Sequence, residues 1–208
     1  MDTSTSSSNK QFNNIAEILE HYGIEFEYNK FFAIDEIAEL QLDDFFIRDL
    51  EFSLSNRGAH DKEFFSSEFI IVPFLKEAWK RHEKVTLFSH VNLKVNEFNL
   101  YPDYILGGKH KTGVKILQKP LLLTIEAKDE KVEQGWMEAL LQLIAAQQFN
   151  QTDQVPVHAI VTTADNWYFG KLTAQLFQRH PFPVGIDDPE KLFGVLDYIF
   201  SECEKYVS

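Results

Sequence analysis

Apolar residues recur along this chain with two spacings, one helical and one alternating or continuous, and the order of the two predicts its architecture. Ile15, Ile18, Leu19 and Tyr22 lie on one helical face after a capping Asn13 or Asn14, and Gly23 supplies a stop. A second helix is predicted over 66–82, with Ile71, Phe74, Leu75 and Ala78 as its stripe. Pro73 removes one of its hydrogen bonds, so a kink or a late helix start should follow. Strand patterns then occupy 85–95, 104–106 and 121–125, with Gly107 and Gly108 breaking the last two apart. A helix over 132–149 buries Trp136, Leu140, Leu143 and Ile144. Strands at 157–163 and 167–172 flank a turn at Ala164, Asp165 and Asn166. Asp188 and Pro189 open a last helix carrying Leu192, Leu196 and Ile199. Helix, three strands, helix, strands is the order of an α/β core with a central mixed β-sheet flanked by helices.

Residues 24–60 give conflicting signals. A short helix fits 35–40, while Leu50, Phe52 and Leu54 alternate as in a strand. Residues 1–11 are rich in Ser, Thr and Asn and read as a disordered tail. The expected organisation is that tail, an acidic N-terminal extension over 12–60 packed on the core, and a core over 61–208 that ends in the C-terminal helix.

Candidate chemistry gathers at the ends of two strands. Side chains alternate faces, so Glu126 and Lys128 share a face with Thr124, about 7 Å apart along the strand. Asp103 stands where the preceding strand begins, and if the two strands are neighbours its carboxylate converges on that of Glu126. Two such carboxylates repel unless a cation lies between them, and hard oxygen ligands with open water positions suit Mg²⁺ or Mn²⁺. Lys128 beside such an ion would orient or help deprotonate a water.

Pro102-Asp103 followed by Glu126-Ala127-Lys128 resembles the signature of the PD-(D/E)XK nuclease superfamily, whose fold is restriction-endonuclease-like. The stretch 67–75 is similar to the helix that precedes the core in these nucleases and supplies an extra acid, here Glu68. The stretch 138–142 resembles the following helix, where the family often places a glutamine, here Gln142. Residues 161–169 look like the closing hairpin of the nuclease domain at the N-terminus of type I restriction motor subunits. Ala146 departs from the tyrosine that some of these relatives carry. The resemblance covers about half the chain. It implies a Mg²⁺- or Mn²⁺-dependent endonuclease acting on DNA, with a role in restriction or defence. Asp103, Glu126 and the carbonyl of Ala127 would bind the metal, Glu68 would be an outer or second-metal ligand, and Lys128 would position the attacking water.

Two of these residues carry an alternative. Glu68 lies one turn before Ile71 on the apolar stripe, where an unpaired carboxylate is costly; it also fits a first-turn acid complementing the helix dipole. Gln142 fits a structural place at the sheet edge as well as contact with a metal-bound water or phosphate. His90 and His158 fall in predicted strands as hydrogen-bonded structural residues, and 128–133 reads as a solvated turn. No nucleophile elbow, Walker loop, dinucleotide fingerprint or zinc spacing is present in the sequence.

Composition changes this picture at the level of charge. The 208 residues suit one domain, and the single Cys203 permits no internal disulfide, as in a reducing compartment. No apolar run reaches the ~20 residues of a membrane span, and a cytoplasmic protein without a membrane partner is expected. The formal charge of −12 opposes binding to a polyanion, but twelve acids and four bases in residues 1–60 account for −8 of it. The connection 107–119 holds Lys109, Lys111, Lys115 and Lys119 and no acid. It is expected to project beside the carboxylates as a phosphate-contacting rim, with a solvated loop as the alternative. The competing functional class is a non-catalytic interaction or nucleic-acid-binding protein on the same fold, using the acidic N-terminal region for a protein partner or a homodimer.

Overall fold

The structure, a computed structural model, describes residues 11–58 and 63–207. The chain opens with helix α1 (Ile15–Tyr22), where the Asn14 side chain accepts the Glu17 N–H at 3.1 Å and Gly23 terminates the helix at φ 64°. Strand β1 (Glu25–Tyr28) follows, then one 3₁₀ turn, Ile34–Glu36, in place of the longer helix expected at 35–40. The expected strand around Leu50 is instead helix α2 (Asp44–Asn56). Leu50 and Leu54 fit either period. The cap decides: Asp43 accepts the Phe46 N–H at 2.7 Å, and Phe46, Leu50 and Ser53 then form the buried face.

Helix α3 (Glu63–Ser66), a π-helical turn (Ser67–Ile71) and helix α4 (Val72–Lys80) run on without a break. Val72 N–H donates to Ser67 O, five residues back, and Pro73, which has no N–H to give to the helix, follows directly on that wider turn inside the continuous helix. The expected strand over 85–95 is two elements. Strand β2 (Val85–Ser89) stops at His90, whose φ of 50° bends the backbone, and β3 (Leu93–Val95) pairs with β4 (Phe98–Leu100) as a separate hairpin.

The rest of the order follows the apolar pattern: β5 (Tyr104–Gly108), β6 (Leu121–Ala127), α5 (Val132–Asn150), β7 (Val157–Thr162), β8 (Asn166–Thr173), β9 (Leu176–Arg179), β10 (Val184–Gly185) and α6 (Pro189–Glu204). Asp188 caps α6 by accepting the Lys191 N–H at 3.1 Å. The main sheet runs β1-β9-β8-β7-β6-β5-β2, with β10 on β8. It is mixed: β6 with β7 and β1 with β9 are parallel, and the other pairs are antiparallel. A parallel β6–β7 pair needs a crossover, and α5 provides it. The acidic N-terminal stretch is part of this architecture, since β1 forms one sheet edge.

Helices cover both faces. Phe46, Phe74, Leu75, Ile125, Leu196 and Phe200 belong to one buried layer, with α2, α4 and α6. Ile18, Trp136, Leu140, Leu143, Val161 and Phe177 belong to the other, with α1 and α5. Every residue of β6 is buried. Leu121, Leu122, Leu123 and Ile125 are fully enclosed, at ~1.5–3 kcal/mol each, which together exceeds the several kcal/mol of burying one carboxylate on the same strand. That surplus allows Glu126 to be held inside. Among the described residues, no helix is long and apolar enough to cross a membrane.

Candidate metal and catalytic centre

Strands β5 and β6 are antiparallel with Tyr104 opposite Ile125, so Asp103 falls opposite Glu126 at the open end of the pair. One main-chain hydrogen bond pins it there: Asp103 Oδ2 accepts the Ala127 N–H at 2.8 Å. Glu126 points to the α5 side of the sheet and is 2% exposed. Its Oε1 accepts from Gln142 Nε2, and its Oε2 accepts from Lys128 Nζ at 3.0 Å. Lys128 prolongs the strand, donating its N–H to Thr162 O at 2.9 Å. Asp103, Glu126, Lys128 and Gln142 are therefore brought together as the sequence predicts. Gln142 is buried beneath the carboxylate and off the sheet edge.

Burial, and after it the charge of Asp103, push the Glu126 carboxyl up to about 8, against the opposing pull of Lys128 and Gln142. Burial by itself would lower the Lys128 ammonium, but Glu126 and Glu138 overcome it and hold the group above its usual range. Lys128 therefore stays charged at neutral pH and donates to Glu126 and Glu138. Gln142 Oε1 and Thr124 Oγ1, on the same side of β6, are enclosed and have no hydrogen-bond partner.

Three contributors were not singled out from the sequence. Glu138 Oε2 lies 2.8 Å from Lys128 Nζ, and Gln134 Nε2 donates to Glu138 Oε1 at 3.0 Å. Burial raises the Glu138 carboxyl, and the hydrogen bond and charge of Lys128, with the hydrogen bonds of Gln134 and Glu126, together outweigh that and lower it. Gly135 makes room for the lysine stem: a Cβ there would lie 3.0 Å from Lys128 Cγ and 2.7 Å from Val161 Cγ1. The helical spacing of four residues between Glu138 and Gln142 is the one sequence signal that points to Glu138. The start of α5 is fixed in turn by Arg179. Its guanidinium grips both Glu133 oxygens at 2.9 and 3.2 Å and stacks on Trp136 at 4.5 Å.

Other expectations are corrected. Glu68 is exposed and does not lie on the buried stripe. The π-turn is the cause: its wider winding carries Glu68 away from Ile71, leaving Ser67, Ile70 and Ile71 as the buried residues. Among the described residues no three His, Cys, Asp or Glu side chains gather in metal-holding geometry. The lysine connection is also elsewhere. It joins the end of β5 to the start of β6, so it lies at the closed end of the hairpin, about 17 Å from the carboxylates by strand rise. There Lys109 and Lys111 share a recess of about 280 Å³ with Lys84 and His110. Lys115 Nζ lies 5.7 and 5.6 Å from the rings of Trp79 and Phe88, and Lys119 is exposed.

His90 is not a strand residue. It is an exposed side chain at the mouth of the site, Nδ1 3.7 Å from Asp103 Oδ1, and its N–H donates to Asp103 O at 2.8 Å. His158 lies in β7 as expected, but its buried Nδ1 has no hydrogen-bond partner, and burial lowers the imidazole to about 4. No protein-family model matches the chain, and no curated protein matches it.

Proposed function

We propose that this protein is a divalent-metal-dependent nuclease with a restriction-endonuclease-like core, acting on the phosphodiester bonds of DNA. The observation that carries this is the buried Glu126 carboxylate opposite Asp103 on the neighbouring strand, with a charged Lys128 beside it. Two carboxylates and the carbonyl of Ala127 make a hard oxygen donor set that suits Mg²⁺ or Mn²⁺ and leaves open positions for water. The enclosed, unpartnered Gln142 Oε1 and Thr124 Oγ1 are fitting partners for such waters. A cation held there would supply Lewis-acid polarisation of a phosphoryl oxygen and a more acidic bound water.

The chain's own residues do the positioning. The Ala127 N–H fixes Asp103, and Gln142 fixes Glu126. The Lys128 ammonium donates hydrogen bonds to the attacking water or to the oxygen on which charge develops. The net charge of −12 favours a second reading, a non-catalytic interaction protein, as do Phe45 and Phe52, 72% and 66% exposed on one face of the acidic helix α2. The test is incubation of labelled single- and double-stranded DNA and RNA with Mg²⁺ or Mn²⁺. Metal-dependent cleavage by the wild type that Asp103→Ala and Lys128→Ala abolish supports the nuclease. No cleavage by the wild type overturns it in favour of the interaction protein, and cleavage that both variants retain overturns this site.

A further inference from the structure

Helix α5 presents Gln134, Glu138 and Gln142 in succession, four residues apart and therefore on one face. Each is engaged. Gln142 holds Glu126, Glu138 holds Lys128, and Gln134 holds Glu138. With the 3.0 Å bond from Lys128 to Glu126, these contacts make a ring from α5 through the end of β6 and back. Lys128 thus sits between two carboxylates on different elements, one buried and one 38% exposed. The two are not equivalent. Glu126 faces Asp103 and belongs to the metal-holding pair, so its electron density is shared once a cation is present. Glu138 stands on α5 and not on the strand pair, interacts with Glu126 as well as with Lys128, and has its other oxygen committed to Gln134.

We propose that Glu138 is a positioning residue for Lys128: a carboxylate latch on α5 that, beside Glu126, holds the ammonium in place. This rests on the nuclease reading. A lysine is a point charge on a flexible four-carbon stem, so one partner leaves it many rotamers and two leave it few. The surroundings are built for the latch. Gly135, one turn before Glu138, admits the stem where a methyl group would crowd it. Arg179 clamps Glu133 and stacks on Trp136, so the turn that carries the latch does not drift relative to the sheet. Glu138 does not touch the reacting atoms; its effect passes through Lys128.

The test combines single-turnover cleavage of a short DNA substrate with melting of the metal-free protein, for wild type, Glu138→Ala, Glu138→Gln, Lys128→Ala and the double alanine variant. Glu138→Ala should lower the cleavage rate about 10–100-fold, the scale of outer-shell losses in metal sites. DNA affinity should stay within about twofold, because the lost interaction acts on the transition state. Glu138→Gln, isosteric and retaining an oxygen acceptor, should recover part of the rate. In the Lys128→Ala background Glu138→Ala should cost nothing further, and the double variant's melting temperature should fall by less than the sum of the single shifts. Additive melting shifts, or the same rate loss with and without Lys128, would overturn the latch. The two ideas fail separately. A coupled melting cycle in a protein that cleaves nothing refutes the nuclease and keeps the Lys128–Glu138 tether, while cleavage with an additive cycle refutes the latch alone.

Discussion

Replacing Glu126 by glutamine should make the metal-free protein more stable, and by an amount that grows with pH. The folded protein holds this carboxyl at about 8 against an ordinary 4.5, because burial and Asp103 disfavour the anion. Between those values the native state keeps a proton that the unfolded chain releases. The stability contributed by the group is full below about 4.5 and is lost as pH rises through about 8. At ~1.36 kcal/mol per pH unit the loss has an upper bound of about 5 kcal/mol. Relaxation around the anion and entry of water keep the realised value nearer ~2–4 kcal/mol. The substituted amide cannot ionise, yet it retains an oxygen for Gln142 Nε2, so it removes the penalty without opening a cavity. At ~2–4 °C per kcal/mol for a chain of this size, Glu126→Gln should melt about 4–15 °C above wild type near pH 8.5 and close to it near pH 5. Melting curves in chelator at both values are the assay. An offset of the same size at both, or a variant less stable than wild type at the higher pH, refutes the electrostatic account of the site.

Gly135→Ala gains ~1 kcal/mol of helix propensity, yet the contacts at Val161 and Lys128 should reverse the sign and lower both the melting temperature and cleavage; a stabilised, active variant would show that the glycine does not seat Lys128. His158 is buried with its imidazole lowered to about 4, so the unfolded state binds more protons between about 6.5 and 4, and up to ~3 kcal/mol is lost as pH falls through that window. His158→Gln should flatten this acid limb in urea titrations, and an unchanged limb would assign it to other groups. Changing Lys109, Lys111, Lys115 and Lys119 together to glutamine should leave the cleavage rate of a short duplex within about threefold of wild type, because the loop is at the far end of the hairpin; a collapse of catalysis would mean that substrate spans the whole β5–β6 pair.

The parts of the site legible in the sequence are those governed by strand alternation. Period-two geometry put Glu126 on the face of Thr124, and Asp103 followed as the residue opposite; Gly107 and Gly108, expected to break the strands apart, instead complete strand β5 and pair with β2. Glu68 was not legible in the same way. Its facing depends on a π-turn held by a Val72–Ser67 bond, and a stripe drawn at 3.6 residues per turn carries no sign of that insertion. Helix α2 was obscured because Leu50 and Leu54 satisfy both periods, and only the Asp43 cap separates them. The lysine connection was misplaced for a geometric reason: the loop of an antiparallel pair lies at the end opposite to its free ends, where Asp103 and Lys128 are. Glu138 needed the crossing of α5 over β6, which is tertiary.

The central claim is that Asp103 and Glu126 jointly hold one divalent cation, and a titration of Mn²⁺ into the full chain followed by electron paramagnetic resonance tests it most directly. The expected result is a single site per chain, lost in both Asp103→Ala and Glu126→Gln. At ~100 times its dissociation constant, Mn²⁺ should add about 2.7 kcal/mol of stability to the wild type alone. No bound Mn²⁺ in the wild type, or a site that survives both substitutions, would contradict it.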